Sequence, residues 1–262
     1  MEHQLTKILI TVFTYPVPSS KYNELVCTAG MTESGDWVRL YPVTYRYMPP
    51  AKRYRKWQWV EVATRPPRND KRKESRTPDI DTFRLLGEPL GTKDNWRERR
   101  QIIDKLPHHT VAQLEELFDK DRTSLGIVRP QKFIDFVYEP VDEEWNEKQL
   151  SALRQLRLFD EQPKNDLKKI PYKFSIHFKC EDGQEYKRMI EDWETGMLFL
   201  NARQHSRSDK EAAEKVRQKY MDEVFAENRD ARLFMGTTHP YNTWIVVGVF
   251  WPPRVNQLEF DF

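Results

Sequence analysis

The chain has 262 residues, of which 38% are hydrophobic and 13% aromatic, so it can build a packed core and is not disordered throughout. It has no run of about 18 apolar residues, and its two cysteines are too few for a disulfide framework or a cysteine zinc site. The N-terminal apolar stretch is short and carries no cleavage site, so it predicts a strand. Composition therefore favours a cytoplasmic protein with no membrane span and no secretion signal.

Charge is concentrated in one part of the sequence. Residues 46–76, called the basic segment below, contain eleven basic and three acidic side chains, a net charge of +8. The whole chain carries only +2, so the remainder is net acidic at −6. Such segregation predicts a cationic surface that faces an anionic partner.

The first third of the sequence has the alternation and the turn residues that are typical of strands. TESGD at residues 32–36 separates two apolar runs and predicts a hairpin. The loop at residues 65–79 contains three prolines and is either a preorganised arm or a solvated loop. Strands are predicted at residues 7–15, 24–31, 37–41, 57–64 and 81–86.

Helices and strands mix in the remaining two thirds. An amphipathic helix is predicted at residues 142–159, and the polar run that follows it at 160–166 is typical of a linker. Asp182-Gly183 predicts a second hairpin. Further helices are predicted at residues 95–106, 110–118, 193–203 and 209–228, and further strands at 132–138, 172–180, 185–190, 232–236 and 243–251.

The strands cluster instead of alternating with helices, so the predicted fold class is α+β. We expect a strand-rich N-terminal domain, either a small barrel or a curved antiparallel sheet, and a smaller α+β C-terminal domain. The predicted boundaries are 1–141 for the basic strand-rich domain, 142–166 for the helix and linker, and 167–262 for the α+β domain.

Cations in the basic segment are interleaved with aromatic residues. Basic side chains neutralise phosphates, and flat rings stack on unpaired or flipped bases. The pattern predicts binding of DNA or RNA, with a preference for single strands or flipped bases. The alternative is that the tryptophans face the core and the charges only solvate a loop. The candidate binding residues are Tyr45, Arg46, Tyr47, Lys52, Arg53, Tyr54, Arg55, Lys56, Arg65, Arg68, Lys71, Arg72, Lys73 and Arg76.

A second motif, QLRLF, resembles the short peptide by which many bacterial replication and repair proteins dock into the sliding clamp. The resemblance implies that Gln155 enters a small subpocket while Leu156, Leu158 and Phe159 fill an apolar one. Apolar residues at steps of three also complete the buried stripe of a helix at the same place. The segment is therefore either an exposed docking peptide or a core helix.

Enzyme signatures are few, since the sequence lacks the common nucleotide-binding, zinc-protease and nucleophile-elbow motifs. An alternative function is a metal-dependent nuclease, in which carboxylates hold Mg²⁺ that activates water. An acidic run that enters a helix is also what the helix dipole favours. No cofactor is expected unless the nuclease alternative holds. The candidate catalytic residues are Asp182, Glu185, Asp192 and Glu194.

Three longer stretches resemble an uncharacterised bacterial protein family associated with mobile or defence gene neighbourhoods. They are CTAGMTESGDWVRLYPV (27–43), IPYKF with EDWETG (170–196) and LFMGTTH with WIVVGVFWPP (233–253). The resemblance implies nucleic-acid biology and transfers no site residue. The leading hypothesis is thus a nucleic-acid-binding protein in DNA repair, replication-linked processes or antiviral defence. A further alternative is an adaptor that links nucleic acid to a protein partner such as a sliding clamp.

Overall fold

The computed structural model describes residues 4–154, 163, 165–238 and 241–255. Its N-terminal region is built from strands joined by short turns and 3₁₀-helical turns. The hairpin expected around residues 32–36 is present. The strands are β1 (Gln4–Phe13), β2 (Val17–Ser19), β3 (Asn23–Met31), β4 (Trp37–Val43), β5 (Trp59–Arg65), β6 (Ser75–Pro78) and β7 (Arg84–Leu86).

Five of these strands close into a barrel. β1 pairs with β3 and β3 with β4, both antiparallel, and β4 runs parallel to β6. β6 then pairs with β5, and β5 returns to β1, again antiparallel. If the barrel strands alone are numbered along the chain, their order around the barrel is 1-2-3-5-4-1. The predicted small N-terminal barrel is therefore confirmed.

Strict alternation of side chains fills the barrel. Ile8 and Ile10 of β1 and Val60 and Val62 of β5 point inward and are fully buried. Strands β1 and β3 come unusually close together at Gly30, where an added Cβ would lie 2.0 Å from the Leu9 carbonyl oxygen. The opposite faces of these strands are also apolar, so the barrel needs a second layer against its outside.

A four-stranded sheet with the order β14-β13-β9-β8 supplies that layer. Its two faces contribute to two different cores. Phe234 packs towards the barrel with Leu9 and Met31, whereas its neighbours Leu233 and Met235 pack towards the helices. The strands of this central sheet are β8 (His108–His109), β9 (Leu125–Val128), β13 (Arg232–Thr237) and β14 (Trp244–Phe250).

The third layer combines a three-stranded sheet with helices, and it makes the fold α+β as expected. A π-helical turn at Tyr220–Val224 ends the longest helical stretch. Along the described ranges, no helix has both the length and the apolar character that a membrane crossing requires. The elements are α1 (Lys93–Ile103), α2 (Val111–Asp121), β10 (Lys132–Pro140), α3 (Glu147–Leu153), β11 (Tyr172–Lys179), β12 (Glu185–Met189), α4 (Trp193–Gln204) and α5 (Asp209–Lys219).

The strand pairing crosses the domain boundary expected at residue 141. β9 pairs with β13, and β10 pairs with β11, so residues 125–140 lie in sheets that the C-terminal half completes. Such pairing leaves no local signal because the partners are far apart in the sequence. The short strands β8 and β9 were missed for the same reason.

The helix expected over residues 142–159 begins at Glu147, behind an Asn146 cap that forms a capping box with Gln149. Residues 155–162 lie outside the described residues. The docking residues proposed from QLRLF, namely Gln155, Leu156, Leu158 and Phe159, are among them, so the choice between docking peptide and core helix stays a prediction.

Candidate functional site

The first half of the basic segment, residues 46–64, uses its charges in contacts with other groups of the same chain. Each of its arginines and lysines donates to a carboxylate or a carbonyl oxygen of this chain. These contacts hold the turns between β4 and β5 against the barrel, so this half offers few charges to a partner. The contacts are Arg46 with Glu24, Lys52 with Asp81, Arg53 with the Met48 and Arg46 carbonyl oxygens, Arg55 with Glu88, and Lys56 with Asp192 and Glu194.

Lys56 joins the barrel to the start of α4. Its Nζ lies 3.0 Å from Asp192 Oδ1 and 2.9 Å from Glu194 Oε2, and its side chain is 9% exposed. Burial raises the pKa of Asp192 to about 7 although the nearby ammonium opposes that shift, whereas the same ammonium lowers the pKa of Glu194. Lys56 therefore neutralises two carboxylates and is not placed to contact a phosphate, which corrects its prediction as a nucleic-acid-binding residue.

The expected stacking tyrosines are buried or half-buried in the structure, and Tyr54 belongs to the barrel core. Tyr54 is fully buried, and its hydroxyl shares a 2.6 Å hydrogen bond with that of Thr28. Tyr47 is 8% exposed. Tyr45 is half-buried, donates to the Tyr54 carbonyl oxygen and packs edge-on against Trp193. Burial removes Tyr47 and Tyr54 from the residues that can stack on a base, because no base can reach their rings.

The four candidate catalytic carboxylates lie in two places. Asp192 and Glu194 flank Lys56, whereas Asp182 accepts from the Gln184 backbone N–H and Glu185 pairs with His177 at 3.2 Å on the β11–β12 hairpin. Among the described residues, no group of three or more histidine, cysteine, aspartate or glutamate side chains could hold a metal ion. These four residues form one candidate site in the sequence only because they are close along the chain, and the structure separates them into two pairs.

The loop between β5 and β6 is a preorganised arm, one of the two states expected for it. Arg72 donates to both carboxylate oxygens of Asp70 and, through its third nitrogen, to the Thr237 carbonyl oxygen at 2.8 Å. Ser75 donates a further hydrogen bond to Asp70 at 2.7 Å. These hydrogen bonds lower the pKa of Asp70 to about 2 although burial opposes them. Arg72 therefore fixes the loop against β13.

The second half of the basic segment comprises residues 65–76. Within the part of the chain that the structure describes, three of its cations have neither a hydrogen bond nor an ion pair through their side chains. They are Arg65, Arg68 and Lys71. Lys73, by contrast, pairs with Asp121 at 2.6 Å, and Arg76 donates to backbone carbonyl oxygens beside it. The unpaired charge of the basic segment thus gathers at residues 65–71.

A cleft opens where this loop meets α2 and the turn that precedes β14. Its volume is about 360 Å³. The Arg122 guanidinium lies over the Phe118 ring, 5.1 Å from its centroid, and Asp70 is neutralised by Arg72, so the cleft is net cationic. We call it the loop cleft, and it is lined by Asn69, Asp70, Lys71, Arg72, Phe118, Arg122 and Asn242.

Beside the loop cleft, a small part of the outer face of β3 and β4 remains uncovered. Tyr41 of β4 is 40% exposed and Cys27 of β3 is half-buried. Arg39 of β4 pairs with β6 at the end of the loop and donates to Cys27 Sγ at 3.2 Å, so this face lies next to the loop. Burial and the neighbouring Tyr22 raise the pKa of Tyr41, while Arg72 opposes that rise. We call Tyr22, Cys27 and Tyr41 the tyrosine window. The central sheet covers one side of this face and α3 packs against β2 and β3.

The sequence pattern predicted the exposed loop but not the residues that line the cleft together with it. Phe118, Arg122 and Asn242 come from elements distant in the chain, and nothing in their local sequence marks them as neighbours of residue 71. Arg122 ends α2 with a left-handed backbone (φ 64°), and its carbonyl oxygen accepts from the Lys73 N–H at 3.1 Å. That contact brings the end of α2 to the loop.

Two family profiles match the sequence. The domain of unknown function DUF8758 matches residues 4–105, and the domain of unknown function DUF8757 matches residues 107–261. No curated protein matches the chain. A solved structure of a replication protein A heterotrimer bound to single-stranded DNA is similar over 97% of this chain and 67% of that chain, with 10% identity and a TM-score of 0.27. A score at that level does not establish a shared fold.

Proposed function

This chain belongs to the family of the domain of unknown function DUF8757, and from the geometry of its residues we propose that it binds single-stranded nucleic acid. The strand would lie along the loop between β5 and β6 and across the tyrosine window. The single observation that carries the proposal is that unpaired cations of the loop lie beside the exposed ring of Tyr41.

Barrel topology supports the position of this surface. The order 1-2-3-5-4-1, with a parallel pair between the third and fifth strands, is that of OB-fold barrels, which bind oligonucleotides and oligosaccharides. Those barrels use the face of strands two and three together with the loops that follow strands one and four. In this chain these features are β3, β4, residues 14–22 and residues 66–74. Because topology alone does not set function, it supports only the location.

Side-chain chemistry supports the ligand class. Arg68, Lys71 and Arg122 present cations that no carboxylate of the described residues neutralises, which suits a phosphate backbone. Tyr41 presents a ring beside them, and an exposed ring stacks on a base only where the base is unpaired. The combination therefore favours a single strand over a duplex. A role in repair, replication or defence would follow from such binding and stays a prediction.

Equilibrium binding to labelled oligonucleotides tests the proposal. We expect a single-stranded 20-mer to bind at least about tenfold more tightly than the corresponding duplex at moderate salt. Lys71→Ala should weaken binding several-fold without lowering the melting temperature. Lys210→Ala, which removes an exposed and unpaired cation from α5, is the matched control and should change neither. Equal affinity for strand and duplex, or equal loss in both variants, would contradict the proposal.

A further inference from the structure

The loop cleft has the dimensions and the lining of a small-ligand site. Its volume of about 360 Å³ is at the small end of the range for ligand pockets, which suits one nucleotide unit. It lies on the proposed strand-binding surface but is separate from the Tyr41 ring. A bound nucleic-acid strand that follows the loop would therefore pass the opening of the loop cleft.

The cleft contains polar side chains that have no partner among the residues that the structure describes. The amides of Asn69 and Asn242 make no side-chain hydrogen bond there, and the Lys71 ammonium makes no ion pair. The carboxylate of Asp70, in contrast, is fully used by Arg72 and Ser75. The free groups are thus two amides and a cation, a set that can bind a base edge and a phosphate together.

Arg122 supplies a flat surface in the same cleft. One face of its guanidinium lies over Phe118, and the guanidinium makes no ion pair with any carboxylate of the described residues. Unpaired bases stack on arginine planes as well as on aromatic rings. A base that enters the cleft could therefore complete a stack of Phe118, Arg122 and base.

We infer that the loop cleft holds one unstacked base of the bound strand, that this base stacks on Arg122, and that the amides of Asn69 and Asn242 favour adenine. A carboxamide offers a donor beside an acceptor, which matches the N7 and N6 positions of adenine. The ring nitrogen and oxygen of guanine at the corresponding edge are both acceptors and prefer arginine or lysine. In this arrangement Arg122 stacks on the base and Lys71 faces the phosphate, so neither reads the base edge. The inference rests on the proposed function, since the strand must first bind.

Competition between oligonucleotides tests it. We expect an oligothymidylate with one central adenine to bind at least about fivefold more tightly than the all-thymidine strand, the discrimination that one bidentate contact provides. Asn69→Ala and Asn242→Gly should reduce that ratio to below about twofold, while both strands still bind. Glycine is chosen because Asn242 has a left-handed backbone (φ 55°). Asn201→Ala, at an exposed position of α4, is the matched control and should keep the wild-type ratio.

The results separate this inference from the proposed function. Binding of both strands with equal affinity in the wild-type protein would overturn the adenine pocket and leave strand binding intact. A preference that survives both asparagine changes would overturn the pocket as its source. If neither strand binds, the proposed function itself fails, because the all-thymidine strand needs only cations and stacking. Melting temperatures of the three variants show whether any loss of preference comes from unfolding.

Discussion

The two halves of the basic segment have similar charge, but the cations of the first half are paired within the chain and several of those in the second half are not. Residues 46–64 contain five cations and residues 65–76 contain six. In the first half, every cation contacts a carboxylate or a carbonyl oxygen of this chain, and Lys56 is buried between two carboxylates. In the second half, Arg65, Arg68 and Lys71 remain unpaired among the described residues.

This difference shows that a local excess of charge does not identify a binding surface. The acidic side chains that neutralise the first half come from distant parts of the chain, such as Asp192 at the start of α4. A count along residues 46–76 cannot include them. The surface that remains is smaller than the basic segment. Contacts within the chain hold it in place, among them the pair of Arg72 with Asp70 and the hydrogen bond from Arg72 to the Thr237 carbonyl oxygen.

The largest expected effect is on stability, from a cation of the first half. Lys56→Met should lower the free energy of unfolding by about 3–5 kcal/mol at pH 8, because it leaves the buried Asp192 carboxylate without its partner. The loss should be smaller at pH 5, since Asp192, whose pKa is raised to about 7, can then take up a proton. Chemical denaturation at the two pH values measures both quantities.

The double variant Lys56→Met/Asp192→Asn controls for lost packing. It should recover most of the stability at pH 8, because no buried charge remains unpaired. Unchanged stability in the single variant would show that Lys56 and Asp192 do not interact, and it would return Lys56 to the candidate binding residues.

The next effect is on binding, through the tyrosine window. Tyr41→Ala should weaken single-strand binding by about 1–3 kcal/mol, the contribution of one base stacked on an aromatic ring. Tyr41→Phe keeps the ring and should bind like the wild type. Fluorescence anisotropy with a labelled single strand measures both variants. Equal affinity in Tyr41→Ala and the wild type would exclude this ring from the interface.

A smaller effect concerns the acid stability of the loop. Asp70 has a pKa of about 2 in the folded protein, below its ordinary value near 4, so the ionised carboxylate stabilises the fold above pH 4 and that stabilisation is lost as pH falls towards 2. Asp70→Asn should lower the melting temperature at pH 7 and reduce its decline between pH 4 and pH 2. Thermal melts across that range test this, and parallel curves for the two proteins would contradict the assignment.

Much of the fold could be predicted from local pattern. The hairpin around residues 32–36, the strands β11 and β12 and the helices α2 and α4 all follow from periodicity and turn residues. The closure of the barrel through β6 could not, because Ser75–Pro78 has no strand pattern of its own. Its short parallel pairing with β4 depends on tertiary packing, which local propensity does not report.

The candidate site was predicted in part. Arg68 and Lys71 stand out in the sequence because a proline-rich, apolar-poor loop must be exposed. Tyr54 was misplaced because its aromatic ring lies among arginines in sequence, while its barrel neighbours Thr28 and Phe83 come from elsewhere. Arg122 was missed because a cation at a helix end has an ordinary structural explanation.

The salt dependence of binding by two matched double variants tests the central claim most directly. Each phosphate contact with a single strand contributes about 0.7 to the slope of log K against log salt. Arg68→Ala/Lys71→Ala should therefore flatten the slope by about 1.4, whereas Lys52→Ala/Arg55→Ala should leave it unchanged, since those two cations already face Asp81 and Glu88. A slope that flattens only in the Lys52/Arg55 variant, or in neither, would contradict the account.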